Sequence, residues 1–283
     1  MAYLGTGSER FVALLDEPKI DLLRSALGDD GDVEYLPHGE RYGDPPAALQ
    51  AISDLVAGHN AEDRGLLRVI GELPPMNGLR LDAWLRYESA VNDAFSGQPV
   101  RVLCTFDTRS TPPVVQEELL KSHPLVATTA EEERNARYQA PEEYFAERTY
   151  RPEDPLEASP PALEFVAPST EAARRAIAEL AAESGLEDDS ADGLVLATNE
   201  ILTNALIHGR EPIALYGWNR PGRALVAVRD GGDGPQDPTA GLLPAKCDGV
   251  EGGRGLWLAH KLCPEIALSR SEEGFTVRLA AGM

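Results

Sequence analysis

The sequence is short of positive charge. Its 283 residues carry 26 Lys and Arg against 47 Asp and Glu, a formal net charge of -21. No Lys/Arg cluster breaks that balance. The chain lacks the basic face that phosphate neutralisation needs, so no nucleic-acid partner is expected. The same acidity argues against an anionic membrane surface and favours solubility and basic partners. No run of about 18 apolar residues occurs, so no transmembrane helix is expected. Met1 to Gly7 has no basic segment leading into an apolar core and does not read as a secretory signal. Cysteine is scarce as well. Cys104, Cys247 and Cys263 are odd in number and fit no zinc spacing, which reads as reduced thiols in a cytosolic protein. The phosphate-cradling G-x-x-x-x-G-K-[ST] is missing, and there is no internal repeat.

What is present suffices for one large domain or two ordinary ones, with 42% hydrophobic residues to build their cores. The first half alternates strands and helices. Strands are expected at 11–15, 33–36, 66–72 and 100–107, and helices at 17–27, 45–58, 81–95 and 113–121. That alternation implies a parallel sheet with crossover helices. The apolar strand ending in Asp107 is built like the metal-linked strand of a P-loop nucleotidase. Without the P-loop itself, no nucleotide is expected there.

Four strings in this half carry a resemblance. They are Val69-Ile70-Gly71-Glu72, the helix from Trp84 through Glu88 to Asn92, Val102-Leu103-Cys104-Thr105-Phe106-Asp107, and Ser122-His123-Pro124. Together they resemble the MEDS sensory domain, over about residues 8 to 130. The resemblance implies a P-loop-like α/β fold that has lost its nucleotide loop, and a sensory or interaction role whose signal or partner is unknown. His123 and Asp107 are either ligand contacts or polar caps on strand ends.

The chain then divides as 1–130, a connector over 131–161, and 162–283. The connector is acidic and proline-rich. Short helices are expected near Glu131–Arg137 and Pro141–Arg148, and 149–161 reads as a semi-rigid linker with solvated charges. The last domain starts with a strand at 163–167. Ser169 caps a helix to Ser184, which Gly185 stops. A second helix, Ser190–His208, ends at Gly209. Leu196, Ile201, Ala205 and Leu206 on it can face a core. A hairpin turns at 219–222, a helix spans 254–262, and a second hairpin closes the chain. That order predicts a mixed sheet with helices on one face.

Three elements of this domain carry chemistry. Glu200-x3-Asn204-x3-His208 places three polar side chains along one helix face. Asp230-x-Gly232-x-Gly234 follows a strand, and Gly252-Gly253-Arg254-Gly255-Leu256 opens a helix. Each has an ordinary reading: a surface Glu and an interior Asn, a tight loop, a helix entry. Each also has a nucleotide-binding one. An aspartate can accept a hydrogen bond from an adenine amino group while glycines let the base approach the backbone. Glycines opening a helix leave N–H groups and a positive dipole end for phosphate. An Asn carbonyl suits Mg²⁺, and a neighbouring Glu can deprotonate a hydroxyl.

In this order, the three resemble the GHKL ATPase superfamily. Asn199-Glu200-x-x-x-Asn204-Ala205-x-x-His208-Gly209 and Gly253-Arg254-Gly255-Leu256-x-Leu258 are similar to the anti-sigma-factor serine/threonine kinases. The resemblance implies a Bergerat-type α/β sandwich that binds ATP and Mg. By position, Asn204 would hold Mg²⁺, and Asp230 with Gly232 and Gly234 would contact adenine. Gly253, Arg254, Gly255 and Leu256 would lie at the phosphates. Glu200 would be the catalytic base for a serine hydroxyl, and His208 a packing or helix-end residue rather than a catalyst. The partners implied are an anti-anti-sigma (STAS-type) protein and a sigma factor, with room for a homodimer. The loop Gln236–Glu251 is a short lid with Lys246 its only basic residue. A lid this short implies weak ATP binding or a partner that closes it, and the first domain is additional to a minimal anti-sigma kinase. ATP binding is therefore better supported than phosphoryl transfer, and an ATP-gated partner switch stays open beside a kinase.

Overall fold

The computed structural model describes residues 9–28, 33–61, 65–73, 78–127, 131–147, 153–237, 239–243, 254–263 and 265–282. They fall into two compact units, Met1–Pro75 with Glu88–Pro141, and Met76–Tyr87 with Glu142–Met283.

The first unit is a four-stranded parallel sheet. β1 (Arg10–Leu15), β2 (Val33–Pro37), β3 (Leu67–Glu72) and β4 (Val100–Thr105) lie in the order β2-β1-β3-β4. Val12 and Leu14 of β1 are buried with Leu67 and Val69 of β3, as parallel strands between helices require. α1 (Glu17–Leu27) starts where the Asp16 carboxylate accepts from Lys19 N–H at 3.0 Å, and stops at Gly28, φ 79°. α2 (Pro45–Ala61) and α4 (Pro113–Lys121) match the apolar periodicity. α3 (Gly78–Ala94) gives its residues up to Tyr87 to the second unit and the remainder to the first.

The connector differs from expectation. The helix expected near Glu131–Arg137 is a strand. β5 (Leu125–Ala127) pairs antiparallel with β6 (Glu132–Arg134), Leu125 opposite Arg134. Asn135 overrides the helical propensity of the glutamates. Its Nδ2 donates to Leu120 O at 2.6 Å and His123 O at 2.8 Å, fixing the chain beside the end of α4. α5 (Pro141–Glu147) forms as expected, and Arg148 lies outside the described residues. The expected linker also docks, as far as it is described. Asp154 caps a 3-10 turn at Pro155–Ala158 and pairs with Arg223 at 2.6 Å, while Glu157 pairs with Arg278 at 2.7 Å. These two acids are therefore not solvated. Their cationic partners lie far along the chain, which a local reading of charge misses.

The second unit has a five-stranded sheet in the order β10-β11-β9-β8-β7. Its strands are β7 (Leu163–Val166), β8 (Ala214–Arg220), β9 (Arg223–Asp230), β10 (Glu265–Ser271) and β11 (Gly274–Gly282). All four pairings are antiparallel, so the sheet is not mixed. α6 (Thr170–Ser184) and α7 (Asp188–His208) cover one face. Ile177, Leu180, Leu194, Ile201 and Leu202 pack there on Leu215, Val226, Val228, Val277 and Leu279. Fully burying one such side chain contributes about 1.5–3 kcal/mol.

Nor are helices confined to that face. Leu79 of α3 packs with Leu225, Ala267 and Ala280, and Asp82 Oδ2 accepts from Leu268 N–H at 2.9 Å. The apolar residues on both faces of β9 already hint at two-sided burial. On α7, Ile201 and Ala205 are buried, but Leu196 and Leu206 are exposed. The apolar stripe is narrower than the sequence suggests. α8 (Gly255–Leu262) lies tight on α7, where a Cβ on Gly193 would stand 2.5 Å from Leu262 O.

Candidate functional site

α7 presents Glu200 and Asn204 half-buried, one turn apart, with His208 exposed in the last turn. The N-terminus of α8 comes directly against the first two. A Cβ on Gly255 would lie 3.0 Å from Glu200 Oε2 and 3.1 Å from Asn204 Nδ2. Only glycine lets the helix entry approach those side chains without displacing them. Among the described residues neither Glu200 nor Asn204 spends its side chain on a hydrogen bond.

Arg254 stands at the N-cap of α8, exposed, and its side chain does not cap the helix. Among the described residues no side chain caps this helix start, and such a start presents its first-turn N–H groups and positive dipole end to an anion. Leu256 packs against the core and anchors that turn. Gly253 lies outside the described residues. Of the expected lid, Pro238, Pro244, Lys246 and Gly249 also lie outside them. The described part is fixed at its base, where Arg86 Nη2 donates to Ala240 O at 2.7 Å and Leu242 is buried.

Asp230 ends β9 and is 6% exposed. Its Oδ1 accepts from Gly232 N–H at 2.7 Å and from Arg210 N–H at 3.3 Å. Gly231 N–H donates to Arg210 O at 2.6 Å, so the loop after β9 is strapped to the segment after α7. These contacts fix one carboxylate oxygen and its plane, which directs the other oxygen. The glycines are needed for closeness. A Cβ on Gly232 would stand 2.6 Å from Asp230 Oδ1, and one on Gly209 would stand 2.7 Å from the same oxygen. Gly234 has φ 68°, and a side chain there would run into the ring of Phe275. Phe275 is the register partner of Asp230 on β11.

Gly209, Arg210 and Phe275 were not legible as site residues. Gly209 reads locally as a helix stop, and Phe275 as core. The signal for Gly209 lies in its place at the end of the Glu200–His208 string, one residue after the last polar position.

The assembled residues fit a nucleotide. An oriented buried carboxylate, glycines whose Cβ would meet it, and a helix entry set against an Asn and a Glu all belong to the second unit. Residues 166–281 match the family described as Histidine kinase-like ATPase domain. Residues 6–124 match MEDS, the MEthanogen/methylotroph, DcmR Sensory domain. The chain joins a MEDS sensory domain to a GHKL-type ATPase domain. The antiparallel sheet with α6 and α7 on it is the sandwich expected of the ATPase domain, and the parallel sheet is that expected of the other. None of the curated proteins matches the chain. Among solved structures, the crystal structure of the RsbU and RsbW domains of Rv1364c from Mycobacterium tuberculosis is similar at 21% identity with a TM-score of 0.31. That match covers 43% of this chain and 31% of that one. This chain therefore spans about a third of that structure's length.

In the sensory domain, Asp107 lies in the turn after β4. The Arg109 guanidinium and backbone N–H hold its carboxyl down to about 2. It is a turn residue paired within its own loop. His123 lies beside Glu88, with its Nε2 3.1 Å from Glu88 Oε2. No described helix is long and apolar enough to cross a membrane.

Proposed function

We propose that the ATPase domain binds Mg·ATP and works as a serine/threonine kinase on an anti-anti-sigma protein of STAS type. The observation that carries this reading is the approach of Gly255 to both Glu200 and Asn204. Asn204 would hold Mg²⁺ through its amide oxygen, a hard ligand. Asp230, with Gly232 and Gly234, would receive adenine. Gly253, Arg254 and Gly255 at the α8 entry would receive the phosphates, and Leu256 would brace that turn. ATP supplies the transferable phosphoryl group. Glu200 would take the proton from the serine hydroxyl as its oxygen bonds to the γ-phosphorus and the bond to ADP breaks. The sigma-factor setting rests on the likeness of the two motif strings to anti-sigma kinases.

The second reading is an ATP-gated partner switch without phosphoryl transfer. It is favoured by the Glu200 carboxylate, which no described side chain orients. In both readings the protein acts in the cytoplasm, and the sensory domain biases partner choice. Incubation with Mg·ATP and candidate STAS proteins decides between the readings. Phosphoserine that disappears in Glu200→Ala, with nucleotide binding retained, supports the kinase. Binding without transfer to any candidate supports the switch.

A further inference from the structure

Glu88, Cys104 and His123 form a cluster that the ATPase reading does not use. α3 supplies Glu88, β4 supplies Cys104 and the turn after α4 supplies His123. Their donor atoms all lie within 4.8 Å of one another. Glu88 is 3% exposed. Its Oε2 stands 3.1 Å from His123 Nε2, but the two are not aligned as a hydrogen bond, and Oε2 has no hydrogen-bond partner. His123 Nδ1 lies 2.6 Å from Leu119 O. Nδ1–H donating to that carbonyl leaves Nε2 as the lone-pair nitrogen, turned to Glu88. Backbone-held imidazoles of this kind are how ligating histidines are fixed. The three side chains line a cavity of about 130 Å³ together with Val91, Phe95 and Val102.

An imidazolium on His123 paired with Glu88 is the simpler state of these groups. In that state the Cys104 thiol, pushed well up by burial and then by the charge of Glu88 and a hydrogen bond to it, stays protonated beside the same carboxylate. A cation would take all three as ligands, their donor atoms already lying within 4.8 Å of one another.

We propose that Glu88, Cys104 and His123 bind one zinc-type divalent cation, with the coordination position facing the cavity left for a small exchangeable ligand. Thiolate, imidazole and carboxylate are the mixed donor set that suits Zn²⁺ or Co²⁺. Three protein ligands with one open position mark a site that exchanges its fourth ligand. Tetrahedral bonds of about 2.0–2.3 Å put donors roughly 3–4 Å apart, so side-chain rotation closes the present cluster. Binding forms bonds from the metal to Cys104 Sγ, His123 Nε2 and a Glu88 oxygen, and it releases to solvent the Cys104 proton and the Nε2 proton of the imidazolium. The site is independent of the ATP reading.

The test is a Co²⁺ titration of the chelator-treated full-length protein, followed by absorbance. The expected result is one cobalt per chain with a thiolate-to-cobalt charge-transfer band, which one equivalent of Zn²⁺ removes. Cys104→Ser loses the band and Cys247→Ser keeps it. Glu88→Gln, isosteric and neutral, weakens binding by roughly ten- to a hundred-fold. Circular dichroism checks that each variant is folded. No band in the native protein overturns the proposal. So does a band that survives Cys104→Ser, or a Glu88→Gln variant with native affinity.

Discussion

Gly255 and Glu200 are held so close that a single methyl group on the glycine would press on the carboxylate. A Cβ on Gly255 would lie 3.0 Å from Glu200 Oε2. The atoms it meets are the ends of side chains, which can yield by a few tenths of an ångström. Gly255→Ala is therefore expected to cost the fold under about 1 kcal/mol. It should weaken Mg·ATP binding roughly tenfold, the equivalent of ~1.4 kcal/mol. Calorimetric titration and thermal melting of the same variant separate the two effects.

Gly234 behaves differently. Its φ of 68° disfavours any side chain, and the added carbon would run into a ring in the core rather than a flexible tip. Gly234→Ala should destabilise the ATPase unit by about 1–3 kcal/mol. Gly58, inside α2 with nothing within 4 Å of the place a Cβ would take, is the contrast. Gly58→Ala should gain up to about 1 kcal/mol from helix propensity alone. Urea denaturation reads both.

Much of this was written locally. Asp16, Ser169, Gly28 and Gly185 set helix ends within the residues that adjoin them, so the helices they bound fall where the periodicity puts them. The motif helix, the aspartate loop and the glycine entry were legible for the same reason. Each is a short string with its own chemistry. What stayed hidden depends on partners distant in sequence. Asn135 turns an expected helix into a strand through carbonyls of α4. Asp154 and Glu157 look solvated until Arg223 and Arg278 are placed beside them. Leu79 and Asp82 cover a sheet face that lies well over a hundred residues away in the chain. Gly209 is a helix stop until Asp230 arrives next to it.

Arg223 bridges Asp154 at 2.6 Å and Glu265 at 2.8 Å, with only 12% of its side chain exposed. The two carboxylates hold its guanidinium pKa above the usual arginine value. Arg223→Ala strands two poorly solvated acids and should cost about 3–5 kcal/mol. Arg223→Lys should recover part of it, since charge returns without the paired geometry. Denaturation midpoints of the two variants check the order.

His260 gives the unit a pH dependence. Burial, then the positive charges of Arg86 and Lys261, push its pKa well below the ordinary value. The folded protein keeps the ring neutral while the unfolded chain takes up a proton below about pH 6.5. This contribution is therefore complete above that pH and is lost as pH falls towards the folded pKa. The slope reaches at most ~1.4 kcal/mol per pH unit. His260→Gln should flatten that part of the profile, measured by denaturation on either side of about pH 6.5.

The most direct test of the nucleotide site is the Mg²⁺ dependence of ATP binding to the full chain, compared with Asn204→Ala. The native protein should bind ATP appreciably tighter with Mg²⁺ than with a chelator present. Asn204→Ala should lose that difference while keeping its fold. An Asn204→Ala variant that binds ATP with the native Mg²⁺ dependence would contradict the assignment of this face of α7.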